Sequence, residues 1–148
     1  MFALRYNRHI SNLPSICACS ERFNPTHAMD CKKGGFVNAR HDSIRDFETS
    51  LLRKVCTDVE SEPHLLPVTT EVLQGRSANT SAEARLDFRG RVFWRQGQNA
   101  FFDVRVTNPD CDSQVNSSIP SILRKHELEK KREYNERVMH VEQGTFTH

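Results

Sequence analysis

Asn99-Ala100-Phe101-Phe102-Asp103-Val104-Arg105-Val106-Thr107 carries the clearest strand signal in the chain. Aromatic and β-branched side chains crowd it, and it lacks Gly and Pro, so it reads as a strand over 99–107. Upstream, Ala84-Arg85-Leu86-Asp87-Phe88-Arg89 alternates apolar and polar residues as a half-buried strand does, and Gly90 ends it. Asp58-Val59-Glu60-Ser61-Glu62-Pro63 reads as a further short strand stopped by proline. Residues 67–83 hold Pro67, Gly75 and many Ser, Thr and Asn, the composition of a mobile loop.

Helical spacing flanks these strands. Ile44, Phe47, Leu51, Leu52 and Val55 recur at three- and four-residue intervals, so a helix over 42–56 presents one apolar stripe, with Asp42 or Ser43 as its cap. Residues 108–120 are a polar loop with Pro109 and Pro120. Ser121 to about Glu142 reads as one long helix ended by Gly144. The order helix, strand, strand, strand, helix is that of an α/β domain, here spanning 36–148. Residues 1–35 form a lead-in and a small Cys/His module closed by Gly34-Gly35.

That module reads Cys17-x-Cys19-x7-His27-x3-Cys31. Three thiols and an imidazole are the soft tetrahedral set that structural Zn²⁺ prefers, and four protein ligands leave no open position for catalysis. Phe23, Ala28 and Met29 are too few to form a core, so a metal staple is expected. The plainer alternative is free thiols beside a surface histidine. Cys56 and Cys111 stand apart, and the odd total of 5 cysteines argues against a disulfide framework.

Charge narrows the field further. The 21 basic residues nearly balance the 19 acidic ones, so a polybasic mode of nucleic-acid binding is not supported. No apolar run approaches the ~20 residues of a membrane span. The stretch Met1–Ser11 has no continuous apolar core, so no secretory signal is expected and no targeting signal is evident.

Asp87 and Asp103 are the anomalous residues of the strands, because aspartate is disfavoured there. If the strands pair, the two carboxylates converge, and at ~4 Å they repel by about 4 kcal/mol at an effective dielectric near 20. A hard divalent cation, Mg²⁺ or Mn²⁺, would relieve that repulsion. The alternative is a pair of solvated aspartates, or partners for Arg85 and Arg105. Lys130 falls on the inward stripe of the last helix, one turn before Tyr134, where it could offset charge on a phosphate or simply snorkel. Lys131 and Arg132 turn outward. Glu48 falls on the inward stripe of the first helix, as a third acidic contributor or as a partner of Arg45 or Lys54.

Taken in order, the Cys-Cys-His-Cys knuckle, Arg40-His41-Asp42, the Arg-x-Asp strand, the Phe-Asp-Val strand and the Lys/Tyr helix resemble one family. They look like the restriction-like endonuclease domain at the C-terminal end of non-LTR retrotransposon reverse-transcriptase polyproteins. The resemblance spans about residues 4–148. It implies a PD-(D/E)xK nuclease core, a small mixed sheet flanked by helices. By residue it makes Asp87 and Asp103 the acidic pair, Lys130 the displaced lysine, Tyr134 its signature partner, and Cys17, Cys19, His27 and Cys31 the zinc knuckle. Leu86 stands where the family has Pro, and Arg105 where the simple nuclease pattern has Lys. Arginine stays protonated and cannot serve as a base, so activity would depend on Lys130 or Lys131.

The resemblance implies a Mg²⁺- or Mn²⁺-dependent DNA endonuclease acting in the nucleus beside the reverse-transcriptase part of the same element. Asp87, Asp103 and Glu48 would hold the metal, and Arg40, His41, Lys131 and Arg132 would meet the phosphate backbone, which positions DNA without reading its sequence. The rival is a non-catalytic nucleic-acid or protein interaction module on the same scaffold.

Overall fold

The computed structural model describes residues 14–69, 73–109, 111, 113–114 and 116–148. Residues 1–13 of the lead-in lie outside the described residues, as do a few positions of the 67–83 and 108–120 loops. The first helices are α1 (Pro25–Asp30) and α2 (Phe36–Leu52). Strands β1 (Thr57–Ser61), β2 (Phe88–Arg91) and β3 (Asn99–Phe102) follow. The chain then forms α3 (Ile119–Lys130), a π turn (Lys131–Asn135), α4 (Glu136–His140) and β4 (Thr145–Thr147). The architecture is mixed α/β, with the strands in the order β1-β2-β3-β4. β1, β2 and β3 pair antiparallel, and β4 adds parallel to β3, making the sheet mixed.

The strands are shorter than the alternation suggests. Phe88 pairs directly with Phe102, their rings stacked at 4.9 Å, and the ladder runs back from there to Arg91 and Asn99. Asp87 and Asp103 thus sit just past the end of β2 and β3, not inside them. At that end the Asp87 carboxylate accepts the N–H of Val104 at 2.5 Å, replacing the carbonyl that a continued ladder would supply. Sequence alternation continues through this point, but the regular β2–β3 ladder does not; only single bonds such as Asp87 N–H to the Phe102 carbonyl at 3.1 Å run on.

Helix α2 begins at Phe36, after Gly35 in the left-handed conformation (φ 74°), so Asp42 is interior and caps nothing. Its apolar stripe is not core: Ile44, Phe47, Leu51 and Val55 are exposed, while Thr49 and Leu52 are buried. The helix meets the sheet where Leu52 lies over Gly90, and a Cβ on Gly90 would come within 2.6 Å of Leu52 Cδ2. That close approach places the rest of the stripe beyond the reach of the four short strands.

The last helix is interrupted rather than continuous. Its buried face is Ile122, His126, Tyr134 and Val138, with Lys130 half-buried between them, while Ile119 and Leu123 are exposed. Steps of four residues overshoot an α-helical turn by about 40° each. The π turn, with more residues per revolution, takes back that drift and keeps Tyr134 and Val138 over the sheet. They join Leu65, Ala84, Leu86 and Phe101 in the core, with Phe146 of β4 packed beside them. Burying a side chain such as Phe101 or Val138 contributes roughly 1.5–3 kcal/mol.

The 67–83 loop is tied down where it meets the last helix. Glu136 accepts the N–H groups of Gln74 and Gly75 at 2.6 and 2.8 Å, and Asn79 N–H bonds the Glu133 carbonyl at 2.8 Å. Within 74–81 the loop's polar backbone thus finds partners across the fold.

His126 gives this packing a pH dependence. It is buried with Nδ1 3.0 Å from Thr107 Oγ1, and burial, then the charge of Arg105, pull its pKa below the usual imidazole range. The unfolded chain binds the proton more readily than the native one. This contribution is therefore full above the unfolded value of about 6.5 and is lost as pH falls through the depressed native value. His126→Asn is expected to flatten the acid side of the stability curve, read as urea midpoints across that window. An acid slope equal to that of wild type would remove His126 from the effect.

Candidate functional site

Two centres emerge, one on the knuckle and one at the open end of β2 and β3. In the knuckle, Ile16 and Arg22 form a short antiparallel bridge that folds residues 17–21 into a tight loop. Cys17 N–H bonds the Glu21 carbonyl at 2.9 Å, and Ser20 takes φ 74° to close the turn. Asn24 Oδ1 accepts the N–H of His27 at 2.7 Å and starts α1, which brings His27 and then Cys31 round to face the loop.

The ligand atoms of Cys17, Cys19, His27 and Cys31 all lie within 4.8 Å of one another. Cys17 Sγ is 3.6 Å from Cys31 Sγ, and Cys19 Sγ is 3.1 Å from His27 Nε2. Sulfurs bound tetrahedrally at ~2.3 Å from zinc sit about 3.8 Å apart, so the spacing suits that ion. Gly34 completes the cradle. Its N–H reaches Cys31 Sγ at 3.3 Å, and a Cβ there would sit 3.3 Å from Cys17 Sγ. Burial pushes the Cys31 thiol up, but the Gly34 N–H and the neighbouring thiols outweigh it and bring it down to about 7. The four residues could bind a metal such as zinc.

The knuckle is fastened to the α/β domain at few points. The Phe23 and Phe36 rings meet at 5.7 Å, Arg40 Nη2 donates to the Met29 carbonyl at 2.6 Å, and Asn108 bonds Asp30 at 3.0 Å.

At the second centre the antiparallel pairing puts Asp87 and Asp103 at the same end of the ladder. Asp103 is 8% exposed, and Lys130 Nζ lies 3.0 Å from its Oδ2 and 3.2 Å from its Oδ1. The Oδ2 atom nevertheless receives no hydrogen bond of adequate geometry. Burial raises the Asp103 carboxyl above the usual carboxylate range; Lys130 opposes that rise and Asp87 reinforces it. Lys130 is half-buried, yet the charge of Asp103 holds its ammonium above the ordinary lysine value. One ammonium thus falls short of offsetting the burial of Asp103 beside Asp87, and a further cation would favour the ionised site.

Other residues named by the sequence fall around this centre in different ways. Glu48 is exposed, contrary to its inward placement by periodicity, because the α2 stripe is itself uncovered. It nonetheless lines the same cleft as Asp103, Arg105, Arg124 and Glu127, a hollow of about 830 Å³. Tyr134 is buried under Lys130, whose Nζ lies 5.3 Å from the ring centroid, and its hydroxyl accepts from Asn79 at 3.4 Å. Arg40 is engaged with Met29, and His41 faces inward, with Nε2 3.1 Å from the Val104 carbonyl and 3.3 Å from Asp87 Oδ2. Lys131 is exposed and pairs with Glu127, and Arg132 is exposed beside Arg124 and Lys125.

Two histidines of this centre take roles that the sequence does not give: His41 is expected on the phosphate backbone, and His148 carries no expectation. His41 braces Asp87 from α2, and His148 Nδ1 bonds the Asp103 backbone carbonyl at 2.9 Å from beyond β4. Both contacts depend on distant segments meeting, so local pattern carries no signal for them. Searches against family models, curated proteins and solved structures return no match to this chain. Among the described residues no helix is long and apolar enough to cross a membrane.

Proposed function

We propose that the chain is a zinc-stapled, metal-dependent DNA endonuclease domain with a restriction-endonuclease-like core. The observation that carries the reading is the buried Asp103–Lys130 ion pair, at the end of the β2–β3 ladder where Asp87 also lies. Asp87 and Asp103 would hold Mg²⁺ or Mn²⁺, since their carboxylate oxygens are the hard donors such a cation takes. Such an ion supplies polarisation of the scissile phosphate and a more acidic water.

The chain's own residues set the rest. His41 and the Val104 N–H fix the Asp87 carboxylate. Lys130, steadied over Tyr134, offsets negative charge as it grows on the phosphate. Glu48 stands at the rim of the cleft as a further carboxylate. Arg124, Lys125, Lys131 and Arg132 offer an exposed basic ridge along the last helix for backbone phosphates. In this reading DNA is the partner, the reverse-transcriptase part of the same element is the neighbour, and the site of action is the nucleus.

The rival reading, a non-catalytic interaction module, draws on the exposed apolar stripe of Ile44, Phe47, Leu51 and Val55. Nicking of supercoiled plasmid in Mg²⁺ separates the two. Wild type is expected to nick, and Asp103→Asn to slow nicking by about a hundredfold or more. Circular dichroism and zinc content should match between the two proteins. Equal nicking by both removes Asp103 from the mechanism, and a metal-loaded wild type that never nicks leaves the interaction module.

A further inference from the structure

The hairpin between β2 and β3 ends in Arg91-Val92-Phe93-Trp94-Arg95-Gln96-Gly97-Gln98, and its apolar residues are displayed rather than buried. Val92 (φ 71°) and Gly97 (φ 79°) set the turn, and Val92 N–H bonds the Gln98 carbonyl at 3.1 Å. Trp94 is 60% exposed, yet its ring is held in place. Its Nε1–H donates to Thr147 Oγ1 at 3.2 Å, and Phe93 meets it edge-on at 4.7 Å while resting against Phe102 at 5.1 Å.

Beside the indole runs a hollow of about 760 Å³, lined by Arg95, Gln98, Asn135, Gln143 and Thr145 among others. Gln98 is held across that lining, its Nε2 donating to the Gln143 carbonyl at 3.1 Å. Arg95 is exposed and makes no ion pair among the described residues. An exposed, pre-oriented aromatic plane beside a free guanidinium matches the chemistry of an unpaired nucleotide. The base has a π-face, its edges carry donors and acceptors, and its phosphate is anionic.

The hollow also adjoins the acidic centre: the Thr147 carbonyl accepts the N–H of Asp103 at 3.2 Å. We propose that Trp94 is a stacking platform for an unpaired base of single-stranded DNA. Arg95 meets a flanking phosphate. The assignment rests on the reading that the protein acts on DNA, since it supplies the strand that the hollow holds next to the cleavage centre. Against a membrane anchor stand the charged Arg95 beside the ring and the indole N–H already bonded to protein.

Trp94 is the only tryptophan of the chain, so its emission reports this site alone. Titration with an oligothymidylate is expected to quench that emission. By anisotropy with a labelled oligothymidylate, Trp94→Ala should bind about tenfold more weakly, and Trp94→Phe, which keeps a planar ring, should recover most of the loss. Plasmid nicking without quenching overturns the platform and leaves the nuclease reading standing. Quenching without nicking keeps the platform and sinks only the nuclease reading. Equal affinity of Trp94→Ala and wild type, or a blue shift on anionic vesicles with no response to oligothymidylate, overturns the platform.

Discussion

Replacing Cys31 with serine strips the metal from the chain and unfolds residues 15–35, while the sheet stays folded. The knuckle buries little of its own: among its described side chains only Cys17 and Cys31 are buried, and both are candidate ligands. Its remaining ties are one β-bridge, one ring contact and a few hydrogen bonds, each worth about 1 kcal/mol. A structural zinc contributes about 10–16 kcal/mol in finger peptides at neutral pH, far more than those ties combined.

Metal analysis should give one ion per wild-type chain and none for Cys31→Ser. Amide exchange should lose protection over 15–35 and keep it in β2 and β3, since the core of Leu86, Phe101 and Val138 does not touch the knuckle ligands. Zinc binds thiolates, so acid competes with the metal and affinity should fall as pH drops. A knuckle that stays fully protected without metal would defeat this account.

The ligand spacing was legible because all four ligands fall within a short segment, where local chemistry alone selects them. The strands were legible for the same reason, though too long, since alternation marks a residue's face and not where hydrogen bonding ends. β4 had no such signal. Thr145, Phe146 and Thr147 are three residues whose strand character comes entirely from lying along β3. The α2 stripe shows the converse: the 3.6-residue period is present, but the sheet covers only Leu52 and its neighbours.

At the acidic centre, Asp87 and Asp103 stood out by being polar where strand residues are wanted. That they share an end of the ladder follows from the antiparallel register, which pairs Phe88 with Phe102. Lys130 was found by helical phase. The phase held beyond it only because the π turn corrects the drift, a feature with no residue signature of its own. Glu48 was found for the wrong reason: it reaches the cleft from an exposed face.

Arg137 was not legible at all, and removing it should have the largest effect on the α/β domain. An arginine on a charged helix reads as solvent-facing, yet Arg137 is wholly buried. Nη1 donates to the carbonyls of Asn79 and Ser81 at 2.8 Å each, and Nη2 to those of Leu66 at 2.8 Å and Leu65 at 3.4 Å. The guanidinium thus gathers both ends of the 65–81 segment onto α4. Burial pulls its pKa below the ordinary arginine value, but it remains charged, its two Nη atoms met by carbonyl dipoles while Nε has no partner.

Arg137→Met keeps the apolar stem and abandons those carbonyls. Unsatisfied buried acceptors cost about 1–3 kcal/mol each, and partial relaxation toward water brings the expected total to roughly 3–5 kcal/mol. Arg137→Lys should recover less than half, because one ammonium cannot reproduce a planar fork that spans two pairs of acceptors. For a domain of this size a loss of that order lowers Tm by about 10 °C or more. Urea unfolding of the zinc-loaded protein measures it, and amide exchange over 74–81 separates release of the segment from global loss. A destabilisation below about 1 kcal/mol would mean that those carbonyls find water without cost, and that the guanidinium fills space rather than holding the fold.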